Sequence, residues 1–318
     1  MTWQPSATLA QLKRRAELLY YTRAFFAARE VLEVETPMLS AVPVSDPLLT
    51  PFATQYRPEG GGKAQALYLH TSPEYPMKRL LAAGSGCIWQ LCKVFRNGER
   101  GRRHNPEFSM LEWYRVGFTD QQLMDEVQAL VAPLLPAQAF ARVSYAELFQ
   151  CELGLDVFSA DSQALAACAR QHIDFVGELS RAGWLQLLFS HVLEPRLSTP
   201  TFVYDFPASQ AALARVVADA QGRPVAARFE LFVQGVELAN GYWELTDAAE
   251  QAARFAADQA EQQALGQTPR PADTRLVAAL EHGMPDCAGV ALGFDRLHML
   301  VEGLDDIAQV LAFPLECS

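Results

Sequence analysis

The chain has 318 residues, half of them apolar and one-fifth charged, with a formal net charge of −11. Such an apolar share fills a globular core and excludes a disordered or fibrous chain, and the acidic balance disfavours loose, phosphate-driven binding of nucleic acid. No apolar run approaches the ~18 residues of a membrane-spanning helix. The opening MTWQPSATLAQLKRR has no apolar core of signal-peptide type. The six cysteines form no C-x-x-C pair and read as buried, inert thiols of a reducing compartment. A soluble, cytoplasmic protein without a membrane partner is expected.

In chain order, residues 8–29 predict an amphipathic helix, with Leu9, Leu12, Ala16, Leu19 and Phe26 in three- and four-residue steps. A short strand at 31–35 runs into Pro37. A turn around GGG at 60–62 separates two β-rich pieces. LYLHTSPEYPMKRLL passes from strand to helix, with Ser72 as a cap, Pro73 in the first turn and Glu74 at the positive helix start. CIWQLCKVFRN and EFSMLEWYRV predict two strands joined by the polar loop GERGRRHNP. From about 120 to 225 the chain reads as a mostly helical insertion in one domain spanning 1–318. A second hairpin, RFELFVQGVELANG, turns at Gln234–Gly235, and an Ala/Gln/Glu-rich helix runs to about Leu265. Last comes a strand, GVALG, and a helix. Hairpins around the polar motifs predict an α+β protein, a largely antiparallel sheet flanked by helices. Neither G-x-x-x-x-G-K-[ST] nor a strand-borne G-x-G-x-x-G is present.

Period two places Phe108, Met110, Glu112 and Tyr114 on one face of the second strand and Gln90, Val94 and Arg96 on one face of the first. Polar groups among large apolar ones make that face either solvated or a site. In the later hairpin Glu230 and Glu237 come close; facing carboxylates repel unless a cation lies between them, and Mg2+ bridging phosphates suits that place.

The segment VFRNGERGRRHNPEFSMLEWY resembles motif 2 of the class II aminoacyl-tRNA synthetases, closest to the lysyl subgroup, and GVALGFDRLHMLVEG resembles motif 3. The resemblance implies the class II catalytic fold and adenylate formation, in which a carboxylate attacks the α-phosphorus of ATP. Two anions must meet, and a guanidinium can hold both. It assigns that task to Arg96, with Asn97, Gly98, His104 and Asn105 meeting ATP from the loop and Phe108 stacking on adenine. Gly293 would let the nucleotide approach the backbone, and Arg296 would reach the γ-phosphate or cover the adenine. Glu230 and Glu237 become the Mg2+ pair, with Glu237 and Leu238 beside ATP. Ser72, Pro73, Glu74, Glu112, Tyr114, Asn240 and Glu244 would line the amino-acid pocket, acidic enough for a dibasic substrate. The first helix and Pro37 look like motif 1, which implies a homodimer.

The catalytic core starts almost at Met1, so no anticodon-binding domain is expected and tRNA is not the expected acceptor. A stand-alone core of this kind, with PTFVYDFPASQAALA and ELANGYWEL, resembles the elongation factor P lysine ligases. That implies activation of (R)-β-lysine, or lysine, and transfer to the ε-amino group of a lysine on elongation factor P. Ala291 stands where lysyl synthetases carry glycine, and its methyl would tilt the pocket toward the β-isomer. In one departure, the family's R-N-E is R-N-G here, with Glu99 one place later. Alternatives are a truncated lysyl-tRNA synthetase, an amide synthetase on the same fold, and a non-catalytic amino-acid or ATP sensor. The sensor predicts lost motif arginines or acids, yet Arg96, Arg296, Glu230 and Glu237 are present.

Overall fold

The structure, a computed structural model, describes residues 3–136 and 139–318. The chain forms two compact units: Met1–Gly117, Leu245–Cys287 and Ala291–Ser318 make the first, Phe118–Glu244 and Ala288–Val290 the second.

The first unit opens with α1 (Leu9–Ala27), whose N-cap Thr8 accepts the Gln11 N–H through its hydroxyl. Just before it, Ser6 and Ala7 donate their N–H groups to the carbonyls of Ala312 and Leu311 at 2.9 and 3.1 Å. Short strands β1 (Leu32–Glu33), β2 (Leu39–Ser40), β3 (Ala53–Tyr56) and β4 (Gln65–Leu69) precede α2 (Glu74–Ala82). Strands β5 (Ile88–Phe95) and β6 (Glu107–Val116) follow as an antiparallel pair. Here β1 lies parallel to β5, while β2, β4 and β3 form a separate three-stranded antiparallel sheet. The pairing of β5 with β6 is uninterrupted from Ile88 opposite Tyr114 to Phe95 opposite Glu107, so alternation holds along its whole length. Trp89 and Trp113 therefore share the face opposite to Gln90 and Glu112. Phe26 of α1 stacks on Trp89 at 4.9 Å between ring centroids and meets Trp113 edge-on. Truncating so buried an aromatic costs about 3–5 kcal/mol. Packing one face in this way leaves Gln90 and Glu112 on the other.

The second unit begins with α3 (Asp120–Val131), closed by a capping box of Thr119 and Gln122. Then come β7 (Ala141–Ser144), α4 (Tyr145–Leu153), α5 (Ser162–His172), α6 (Arg181–Leu188), β8 (Thr201–Pro207), β9 (Val216–Ala218), β10 (Pro224–Val233) and β11 (Val236–Trp243). Within this unit the strands run in the order β11-β10-β8-β7, with β9 also paired to β10; β7 and β8 are parallel and the other pairs antiparallel. Tyr145, stacked on Phe149 and Phe189, centres the core. The mostly helical stretch expected at 120–225 is corrected on one point: β7, β8 and β9 lie in it. No long β-branched run marks them, and they are short enough to be hidden by Ala- and Leu-rich neighbours.

Back in the first unit, α7 (Ala248–Ala264) leads to α8 (Thr274–Gly283), over a stretch to which the sequence reading assigns no element; Asp273 caps α8, accepting the N–H groups of Arg275 and Leu276. Then follow β12 (Cys287–Gly293), which contributes residues to both units, and α9 (Phe294–Glu302), ended by Gly303 in the left-handed region at φ +63°. The α+β class and the preponderance of antiparallel pairs agree with the sequence. Among the described residues, no helix is long and apolar enough to cross a membrane. All six cysteines are free, but only Cys168 and Cys287 are buried and Cys151 is exposed, which corrects the expectation of uniform burial.

Candidate active site

The polar face of β5–β6 carries Glu112 at its centre, almost fully buried. Both of its oxygens are engaged: Ser72 Oγ donates to Oε2 at 2.8 Å and Tyr114 OH to Oε1 at 2.7 Å. Charge-assisted bonds of this kind orient a carboxylate without neutralising it. Ser72 also accepts the Glu74 N–H at 3.1 Å, although Pro73 is the N-cap residue, one place later than expected for Ser72. Glu74 lies 2.7 Å from Lys78 Nζ, one helical turn on. The nearby Cys92 thiol is pushed up to about 12, by burial first and then by the Glu112 charge, so it stays protonated.

At the end of β5, the Arg96 N–H donates to Pro106 O and its guanidinium lies over the Phe108 ring, 5.2 Å from the centroid. Gly98 takes φ +89°, a conformation that glycine accepts without strain. After that turn Glu99, not residue 98, stands beside Arg96, with Oε1 3.8 Å from NH1. Asn97 is exposed and its N–H donates to Thr50 O. The loop's other members are tied down. Arg296 in the first turn of α9 is 2.7 Å from His104 Nε2 and bonds the carbonyl of Arg103. Its side chain lies across Gly293, where an added Cβ would stand 3.4 Å from Arg296 Cδ. Asn105, expected to meet ATP, has its amide taken up locally: Nδ2 donates to Glu107 O at 2.6 Å, and Oδ1 accepts the Leu315 N–H at 3.1 Å. Arg100 pairs with Glu316 at 2.5 Å, and Arg102 with Asp305. Beneath the loop, Asp295 accepts from Ser109 N and pairs with Arg15 of α1, a link that the sequence reading misses because its three members lie far apart in the chain. Ala291, half-buried on β12, belongs to this unit.

In the second unit, β10 and β11 turn at Gln234 and Gly235, both at positive φ as a two-residue hairpin requires. Glu230 pairs opposite Asn240 and Leu231 opposite Ala239, but Phe232 pairs opposite Glu237. Leu238 is therefore the extra residue of a β-bulge, with its side chain buried. Asn240 stands three positions after Glu237, an odd step that regular alternation would place on opposite faces. The bulge restores them to one face, together with Glu230 and, two further steps along, Tyr242 and Glu244. Glu230 accepts from Asn240 Nδ2 at 3.2 Å and pairs with Arg228, two residues earlier on the same face. Burial pushes the Glu230 carboxyl up to about 7; the Arg228 charge opposes this and Glu237 adds to it. Glu244 is buried, and its carbonyl accepts from Arg215.

Among the described residues, no group of three or more His, Cys, Asp or Glu is placed to hold a metal alone. Mg2+ does not need one: it binds through one or two carboxylates and completes its shell with phosphate oxygens and water. Glu230 and Glu237, brought to one face by the bulge, fit that role. Arg228 escapes the sequence reading, though its position two residues before Glu230 places it on the same face.

The family model for class II tRNA synthetases of the D, K and N group matches residues 1–316. A Vibrio cholerae protein named elongation factor P–(R)-β-lysine ligase is 52% identical over 98% of this chain and 97% of its own length. Proteins of the same name from Proteus mirabilis and Yersinia enterocolitica are 49% and 48% identical, over 98% and 99% of this chain and 97% and 98% of their own lengths. With motifs 2 and 3 folded as described and the match running the length of the chain, this protein belongs to the class II tRNA synthetase family of the D, K and N group.

Proposed function

We propose that this chain is an ATP-dependent ligase that activates (R)-β-lysine, or lysine, as its adenylate and transfers it to the ε-amino group of a lysine on elongation factor P. In the first step a carboxylate oxygen of the amino acid bonds to the α-phosphorus of ATP and pyrophosphate leaves. In the second, the acceptor amine bonds to the acyl carbon, AMP leaves and the amine's proton is lost to solvent. The observation that carries this reading is Arg96, anchored at the strand end with its guanidinium over Phe108. Such a group neutralises both reactants while the ring accepts a flat base. Arg96 then bridges carboxylate and α-phosphate, with Glu99 in the place of the family's acid. Arg296 and His104 take the nucleotide's outer phosphates once they part from each other, and Asn97 and Gly98 line the loop; Gly293 gives the nucleotide room.

Glu230 and Glu237, the latter with Leu238 at its side, would hold Mg2+, which would supply charge neutralisation for the phosphates. Ser72, Pro73, Glu74, Glu112 and Tyr114 receive the substrate's ammonium groups, as do Asn240 and Glu244; Ala291 adds the methyl that tilts the choice of isomer. Pocket carboxylates suit a dibasic amino acid better than the aspartate of an amide synthetase. Exposed Leu9 and Tyr20 on α1, with Leu32, Met38 and Leu39 nearby in sequence, support a homodimer, and the cytoplasm is the working compartment.

The test supplies purified elongation factor P, ATP, Mg2+ and (R)-β-lysine, with tRNA-Lys in a parallel reaction. The expected result is one added residue's mass on the protein and no charged tRNA. Charged tRNA with an unmodified protein would overturn the proposal in favour of a tRNA ligase.

A further inference from the structure

Lys78 is among the largest fully buried side chains of the molecule, at 1% exposure. Lysine is almost never so buried without a partner, because removing an ammonium from water costs several kcal/mol. Its neighbours Tyr75, Met77 and Leu81 on α2 are buried too, so packing alone would be served by methionine or leucine. Its Nζ lies 2.7 Å from Glu74, whose side chain retains 12% exposure. The pair thus has an enclosed cationic end and an anionic end with an opening to solvent. The Glu74 N–H is in turn bonded to Ser72 Oγ, which donates to Glu112. The Ser72 hydroxyl thus fixes the backbone at Glu74 beside Glu112, while the ammonium of Lys78, held from behind, fixes the Glu74 side chain.

We propose that Lys78 is a positioning residue of the amino-acid site, holding the Glu74 side chain oriented before substrate arrives and sharing it with the substrate's ammonium afterwards. The inference rests on the assignment of Glu74 to the substrate amine. It explains why a pocket built for a dibasic ligand contains a buried lysine: without that lysine the Glu74 side chain would be free to turn toward its opening to solvent, and the empty site would lose the orientation it needs for binding.

The experiment measures KM for (R)-β-lysine and for ATP in amino-acid-dependent pyrophosphate exchange, and thermal unfolding, for Glu74→Gln, Lys78→Met, Lys78→Arg and the double variant Glu74→Gln/Lys78→Met. Truncating one side of a buried, hydrogen-bonded charge pair weakens binding by about 30-fold or more. Glu74→Gln and Lys78→Met are each expected to raise the β-lysine KM on that scale while the ATP KM stays within about twofold. The double variant is expected to match Glu74→Gln alone, since Lys78 acts only through Glu74, and Lys78→Arg to recover part of the loss. If Glu74→Gln raises the β-lysine KM and Lys78→Met does not, the role of Lys78 is overturned and the Glu74 assignment stands. An unchanged KM in Glu74→Gln overturns both. Equal rises in both KM values for Lys78→Met, or additive losses in the double variant, show a merely structural lysine. If Lys78→Met does not fold, the cycle is read with Lys78→Arg, and additivity there overturns the proposal.

Discussion

The two hairpins that carry most of the candidate site are built on opposite plans. In β5–β6 the ladder is unbroken, and every residue keeps the face that its position dictates. In β10–β11 one residue is added at Leu238, and on the other flank of β10 the pairing with β8 shifts again between Ala226 and Phe229. The regular hairpin separates a packed aromatic face from a polar one and ends on Arg96, so the guanidinium proposed to act on the reactants sits at the strand end. The bulged hairpin gathers Glu230, Glu237 and Asn240 onto one face, a spacing that alternation alone cannot produce. A guanidinium at a strand end needs a firm anchor, whereas a carboxylate pair needs adjustment of phase.

The largest effect that would sharpen this contrast is at the strand end. Arg96→Ala is expected to lower pyrophosphate exchange by about 10² to 10³-fold, the usual loss for a single group that stabilises developing charge, with thermal unfolding unchanged. Equal losses of exchange and stability would show that Arg96 holds the hairpin instead. Next comes the irregular hairpin's packing. A Cβ at Gly241 would stand 2.4 Å from the Phe229 ring and 3.0 Å from Val290, whereas one at Gly101, in the loop of the regular hairpin, would meet nothing within 4 Å. Gly241→Ala should cost about 1–3 kcal/mol in chemical denaturation, and Gly101→Ala should be silent; similar midpoints for the two would erase the distinction.

The smallest effect concerns Asp205, at the irregularity between β8 and β10 and held at φ +55°. Its carboxyl is raised from 3.8 to about 6 by burial and then by Asp120, Asp219 and Glu147. The folded state binds this proton more tightly than the unfolded chain, so ionised Asp205 costs stability above about pH 6 and costs nothing once the pH falls below 3.8. Asp205→Asn, which tolerates the same backbone conformation, should therefore gain about 1 kcal/mol at pH 8, a figure reduced for partial solvent screening, and nothing at pH 3.5. A gain independent of pH would place the benefit elsewhere.

The regular hairpin is legible in the sequence because alternation and the polar loop are enough to set its register, and the Gln234–Gly235 turn because only certain residues accept its backbone. That Glu230 and Glu237 lie near the same end of one hairpin follows from the turn, but the bulge that sets them on one face does not, since Leu238 looks like any other apolar strand residue. Lys78 falls one helical turn after Glu74, a spacing seen mostly on solvated helix faces; its burial depends on what α2 packs against, which no local pattern encodes. Asn105 reads as a loop residue free to meet a ligand, and only the path of the C-terminal residues shows Leu315 occupying its carbonyl oxygen. Helix α8 is hidden by the Gly- and Pro-rich segment before it, where breakers mask the Asp273 cap.

That path has a mechanical consequence. The chain just before α1 is stitched to residues 311 and 312, and three residues later the same tail grips Asn105, with Glu316 holding Arg100. The loop that carries Arg100 and Asn105 is thereby tied to residues 311–316, which also hold residues 6 and 7. Tension applied to residues 6–7 or 311–316 would reach that loop after crossing only a few hydrogen bonds, without first unravelling a helix or a sheet.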